Sequence, residues 1–115
     1  MSVEFTAFRK PSTHERRLLE ALAACWSSSP QDWVQRVVVR PMKDGGMGSL
    51  ELRLPESGAS RTLGRRVAEL HFKDDDGVDV IASLNVDERN VPFELDLWKT
   101  DFSPLIRVPD VLDSG

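Results

Sequence analysis

The chain has no tyrosine, one cysteine and two histidines among its 115 residues. One cysteine excludes an internal disulfide, which fits a reducing compartment, so a cytoplasmic location is the expectation. Cys25, His14 and His71 form no C-x-x-C or H-x-x-x-H pair. The spacing that announces a zinc site is therefore missing, and neither metal nor cofactor is expected. No apolar run approaches the ~20 residues of a membrane-spanning helix. Met1-Ser2-Val3-Glu4-Phe5 lacks the basic-then-apolar order of a secretory signal. There is no internal repeat and no low-complexity stretch.

Catalytic motifs are missing as well. Gly45-Gly46-Met47-Gly48-Ser49 has no Gly-Lys-Ser/Thr and leads into strand pattern rather than helix, so it reads as a turn and not a phosphate loop. Asp74-Asp75-Asp76-Gly77 departs from D-x-D-x-D-G and has no glutamate at the twelfth loop position. It reads as a solvated hairpin tip. Cys25 sits near a helix end, away from the helix N-terminus that favours a thiolate, and reads as a small apolar residue. No serine, histidine and aspartate form a defensible triad.

What is present is a globular composition, 40% hydrophobic and 30% charged. A chain of 12.9 kDa buries about two-thirds of its unfolded surface, enough for one core. One domain over residues 1–115 is expected, with a loose lead-in at 1–10 and a mobile tail at 109–115. Charge is unevenly spread. Residues 1–68 hold 11 basic and 7 acidic side chains, and residues 69–115 hold 4 and 12. An acidic C-terminal half repels phosphate and argues against nucleic acid as a partner, while it suits a basic one.

Ser12 and Glu15 form an S-x-x-E capping box behind Pro11, so a helix starts at that point. Leu18, Leu19, Leu22, Ala23 and Trp26 recur at helical spacing. Pro30 after Ser29 predicts a short second helix, and Val37-Val38-Val39 reads as strand. From there the period is two. Leu50, Leu52 and Leu54 alternate with polar residues after a glycine-rich turn centred on Asp44-Gly45. Residues 56–64 read as a polar loop. Ala68, Leu70 and Phe72 follow, then Val78, Val80, Ala82, Leu84 and Val86, then Phe93, Leu95 and Leu97.

Strands with one apolar and one polar face belong to an antiparallel sheet covered on one side. The fold class is α+β: an N-terminal helix, or two, packed on one face of an antiparallel meander sheet of four to five strands. Leu18, Leu22, Leu52, Leu70, Phe72, Val80, Leu84, Phe93, Leu95 and Leu97 are the expected core. The polar face gathers Glu69, His71, Asp79, Ser83, Asn85, Glu94, Asp96 and Trp98. An amphipathic aromatic in an acidic field looks like a site for a basic partner, and the plainer reading is a solvated face with Trp98 covered by the C-terminal segment. Trp98 has two possible environments. Asp101-Phe102-Ser103-Pro104 turns the chain back so that Phe102, Leu105 or Ile106 covers the indole, or the indole stays open. The covered arrangement is the one expected, because those three residues also need burial.

Three segments carry a resemblance: Arg9-Lys10-Pro11 leading to Glu15 and Leu18-Leu19, the run from Met42 to Leu50, and the run from Phe93 to Ile106, FELDLWKTDFSPLI. Together they resemble a family of small, uncharacterised bacterial proteins that is a domain of unknown function. The resemblance spans most of the chain and implies a bacterial source and a stand-alone domain. It brings no catalytic residues. Some acidic α+β bacterial proteins of this size are immunity proteins, an analogy of size and charge.

The expected function is a non-enzymatic protein-interaction module. Its partner would be a basic protein, such as a toxin that an immunity protein neutralises. Nucleic acid and membrane are not expected partners. The alternative is a small-ligand-binding domain or small enzyme with a pocket between helix and sheet, Trp26 and Trp33 near its mouth. A third reading, a subunit that pairs through an exposed strand edge, leaves the oligomeric state open.

Overall fold

The computed structural model describes residues 8–26, 31–43, 46–58 and 60–109. One helix packs on a five-stranded antiparallel sheet. Helix α1 spans Thr13–Cys25 and begins as the capping box predicts. Ser12 Oγ accepts the Glu15 N–H at 3.2 Å, and Glu15 Oε1 accepts the Ser12 N–H at 2.8 Å. The Arg9 guanidinium forks onto the same carboxylate at 2.7 and 3.0 Å. Arg9 also exchanges main-chain hydrogen bonds with Val39 at 2.9 and 2.7 Å. The lead-in predicted to be loose is thus tied down over residues 8–10, because its arginine serves both helix and sheet. The remainder of the lead-in and the tail beyond Pro109 lie outside the described residues.

The strands are β1 (Val38–Pro41), β2 (Leu50–Arg53), β3 (Leu63–Lys73), β4 (Asp79–Asp87) and β5 (Pro92–Lys99). Ser29-Pro30 and Asp44-Gly45 lie outside the described residues. The segment after Pro30 is a 3-10 turn, Gln31–Gln35, that sends Trp33 and Val34 into the core. The sheet order is β1-β2-β5-β4-β3. Hairpins join β1 to β2 and β3 through β5, as the alternation predicts. The connection from β2 to β3 instead crosses to the far edge, and β5 returns beside β2, which is the order of a Greek key.

Arg61 holds that connection down. Its guanidinium donates to the carbonyls of Leu52 at 2.7 Å and Pro92 at 3.2 Å, and stands 4.7 Å from the Phe93 ring centroid. The side chain is only 3% exposed. Strand β3 also begins earlier than its polar sequence implies. A Cβ on Gly64 would stand 2.5 Å from the Asp87 carbonyl oxygen, so only glycine allows this close approach at an irregular register.

The core joins Leu18, Leu19, Leu22 and Ala23 of α1 to Leu52, Leu70, Phe72, Val80, Leu84, Leu95 and Leu97 of the sheet. Phe93 is the exception among the expected core residues. Asn85 faces Glu94 and Val86 faces Pro92, so Phe93 is the extra residue of a β-bulge. It stays half-buried beneath Arg61, outside the core cluster. Cys25 is half-buried against the core.

Candidate functional site

The helix and the C-terminal segment lie on one side of the sheet. The other side carries no helix or strand among the described residues; Phe8 and the connection around Gly58 and Arg61 reach only its β1–β2 end. Strand pairing brings the predicted polar-face residues into rows across β3, β4 and β5. Glu69 faces Ser83, which faces Asp96; His71 faces Ile81, which faces Trp98. Asn85 faces Glu94, and that row continues through Glu51 to Arg40. Asp79 lies at the end of β4 opposite Lys73. All eight predicted residues therefore share one surface. Ser83 is buried between its flanking neighbours, Asn85 and Glu94 are half-buried, and the others are exposed.

Side chains that the sequence reading left out modify the charge of this face. Arg66 reaches Glu69 at 2.9 Å, and His71 Nε2 reaches the other oxygen of that carboxylate at 2.7 Å. These contacts, the His71 hydrogen bond foremost, hold Glu69 below the ordinary carboxylate range. Lys73 does the same for Asp79 at 2.7 Å. Arg40 pairs with Glu51 at 2.6 Å and lies 4.4 Å from the Phe8 ring centroid. Glu94 accepts from Asn85 at 2.8 Å and Asp96 from Ser49 at 3.3 Å. Among the described residues, neither of these two carboxylates has a cation at ion-pair distance. The acidic field thus contracts to Glu94 and Asp96, in line with Trp98 on β5.

Trp98 remains 43% exposed. Phe102 approaches it with ring centroids 6.0 Å apart at 46°, yet is itself 70% exposed. The expected cover does not form, because the chain turns to the opposite face. Phe102 N–H bonds the Lys99 carbonyl at 2.8 Å, and Asp101 Oδ1 accepts from Ser103 N–H at 3.0 Å and Oγ at 2.6 Å. In this turn Phe102 has φ of +65°, uncommon for a bulky residue. Leu105 and Val108 then pack on the helix-side core, while Ile106 stays exposed.

A buried ion cluster holds that path. Lys99 Nζ lies 2.8 Å from Asp74 Oδ2 and 2.6 Å from Asp76 Oδ2, and donates to the Pro104 carbonyl at 3.2 Å. Asp74 also accepts main-chain N–H groups from Asp75, Ile106 and Arg107 at 2.8, 2.7 and 3.0 Å. Burial alone would raise its pKa, but Lys99 and the three N–H donors outweigh burial and hold it at about 2. The predicted solvated tip is found at Asp75, Asp76 and Gly77, but Asp74 departs from it and is 4% exposed. The three protons of the Lys99 ammonium and both oxygens of Asp74 are engaged within the chain, so the work of this pair is structural.

Clefts beside α1 among the described residues include three. One of about 160 Å³ includes Trp26 and Trp33, where the alternative reading places a ligand. This is smaller than the ~300–1,000 Å³ of usual ligand pockets. Another, about 350 Å³, lies between the start of α1 and the C-terminal segment, lined by His14, Leu18, Leu97, Leu105 and others. A third, about 470 Å³, is lined by Glu15, Met42, Gly48 and Leu50 among others. Among the described residues no group of three or more His, Cys, Asp or Glu is placed to hold a metal ion, and no helix is long and apolar enough to cross a membrane.

No curated protein and no solved structure matches this chain. A family model does, over residues 8–109, and on that match the chain belongs to the domain of unknown function DUF6984.

Proposed function

We propose that this protein is a non-enzymatic interaction module whose bare sheet face binds a basic segment of a partner protein. The observation that carries the reading is Trp98, 43% exposed beside an even more exposed Phe102. Soluble proteins rarely leave adjoining large aromatics open unless they bind something. Tryptophan gives a large contact area with few rotatable bonds, and such residues anchor interfaces. Glu94 and Asp96, the carboxylates with no cation at ion-pair distance among the described residues, stand on the same strand and face. They would steer a lysine- or arginine-bearing segment to the indole, which also attracts cations directly.

An immunity role is the finer form of this reading, with the partner a basic toxin. It rests on the chain's small size and its acidic C-terminal half. A host that survives the cognate toxin without this gene contradicts it. The broader reading is tested by titrating ¹⁵N-labelled protein with lysine- and arginine-rich peptides. The Trp98 indole N–H and the amides of β5 should shift, with an affinity that falls as salt rises. Shifts confined to Trp33 and residues of α1 would favour a ligand in one of the helix-side clefts instead.

A further inference from the structure

Strand β3 is the last in the sheet order, so its outer edge has no partner strand among the described residues. The other edge is blunted by the Arg9–Val39 bridge. Two register irregularities interrupt β3 between Leu63 and Ala68, but Ala68–Lys73 runs in unbroken register with β4. The outward main-chain groups of this stretch follow from the hairpin. Asp74 N–H bonds the Val78 carbonyl, and Thr100 N–H on the β5 side bonds the Asp79 carbonyl. Hydrogen-bonded and non-bonded pairs alternate along an antiparallel ladder. Phe72 and Leu70 therefore bond to β4, whereas Lys73, His71 and Glu69 aim their N–H and C=O groups away from it.

We propose that this edge pairs with the same edge of a second copy of the chain, antiparallel, with His71 on the two-fold axis. In that register Glu69 faces Lys73 of the copy, and Lys73 faces its Glu69. All three outward residues then sit at hydrogen-bonded positions, so six main-chain bonds form. The side-chain charges are self-complementary, as an isologous interface requires. On the helix side Leu70 faces Phe72 of the copy, so the two cores meet across the join. A lysine and other charges usually guard an exposed edge against pairing. Here the register turns the same residues into attractive pairs. Two five-stranded sheets would become one of ten strands.

This pairing is independent of the peptide-binding reading and is measured without any peptide. Light scattering on the purified chain should give a mass rising with concentration toward twice 12.9 kDa. Over the same range, amide exchange at Glu69, His71 and Lys73 should slow, while Leu70 and Phe72 stay slow throughout. His71→Pro removes an outward N–H and no bond to β4, so the variant should fold and remain monomeric. Glu69→Lys should also be monomeric, and adding Lys73→Glu should restore the dimer. A wild-type chain that stays at 12.9 kDa at about 0.5 mM, far above micromolar dissociation constants, overturns the proposal. So does a dimer that persists in both His71→Pro and Glu69→Lys.

Discussion

Trp98 and Lys99 are consecutive in β5 and occupy each other's natural places. The tryptophan is 43% exposed and the lysine 1% exposed. Strand alternation forces neighbours onto opposite faces, so one of them must go inward with Leu95 and Leu97. The corner that receives Lys99 is completed by two carboxylates of the β3–β4 turn and a carbonyl of the C-terminal segment. A buried ammonium persists only in such a cage. The face that receives Trp98 has no comparable lining, and its nearest aromatic, Phe102, is more exposed than the indole itself. One region thus satisfies its unusual residue from within the chain, and the other leaves its residue unsatisfied. Self-sufficiency marks the Lys99 corner as structural. The unmet apolar surface of the Trp98 face is the observation on which the proposed binding of a basic segment rests.

The comparison breaks most visibly at the corner. Asp74→Ala leaves the buried Lys99 short of a counter-charge and removes the acceptor of three main-chain N–H groups, and should destabilise the fold by about 3–5 kcal/mol in denaturant melts. Acid probes the same group. Its pKa is lowered from 3.8 to about 2 by folding, so its contribution is present above pH ~4 and lost as pH falls toward 2. Asp74→Asn should flatten that part of the stability profile. A flat wild-type profile between pH 4 and 2 would show that the cluster is not closed in solution.

Leu95→Ala sharpens the contrast between faces, because Leu95 is fully buried and pairs with Leu50 and Leu84. It should lose about 2–5 kcal/mol, whereas a loss below 1 kcal/mol would mean the layer is not packed as described. Ser12→Ala removes the helix cap and should lose about 1 kcal/mol. The smallest effect belongs to the bare face. Trp98→Ala should shift stability by no more than about 0.5 kcal/mol, the usual size for a surface change, despite removing the largest side chain on that face.

The local features of the fold were legible in the sequence. The Ser12–Glu15 pair marks the helix start through its own hydrogen bonds, and alternation sorts Leu52, Leu70, Leu84 and Leu95 onto one face. Long-range features were not. Nothing near β2 specifies that it pairs with β5, since that choice depends on Arg61 reaching the carbonyls of two distant strands. The bulge at Phe93 changes strand parity beside Pro92, but a proline at that point reads equally well as the first residue of an ordinary strand. Lys99 did carry a signal, because it shares parity with Leu95 and Leu97, but a lysine at a core position points inward only when distant aspartates meet it. On the candidate face, alternation gathered all eight residues. The cations that neutralise Glu69 and Asp79 went unseen because Arg66 and Lys73 reach their partners through side-chain paths.

The most direct test of the open face is binding of a lysine- and arginine-rich peptide to the Trp98→Ala, Asp96→Lys double variant. Both positions lie on the solvent side of β5, so the fold should persist, as judged by an unchanged amide spectrum away from that strand. The account predicts that wild-type binding is lost. A double variant that is folded and binds the peptide with wild-type affinity would contradict it.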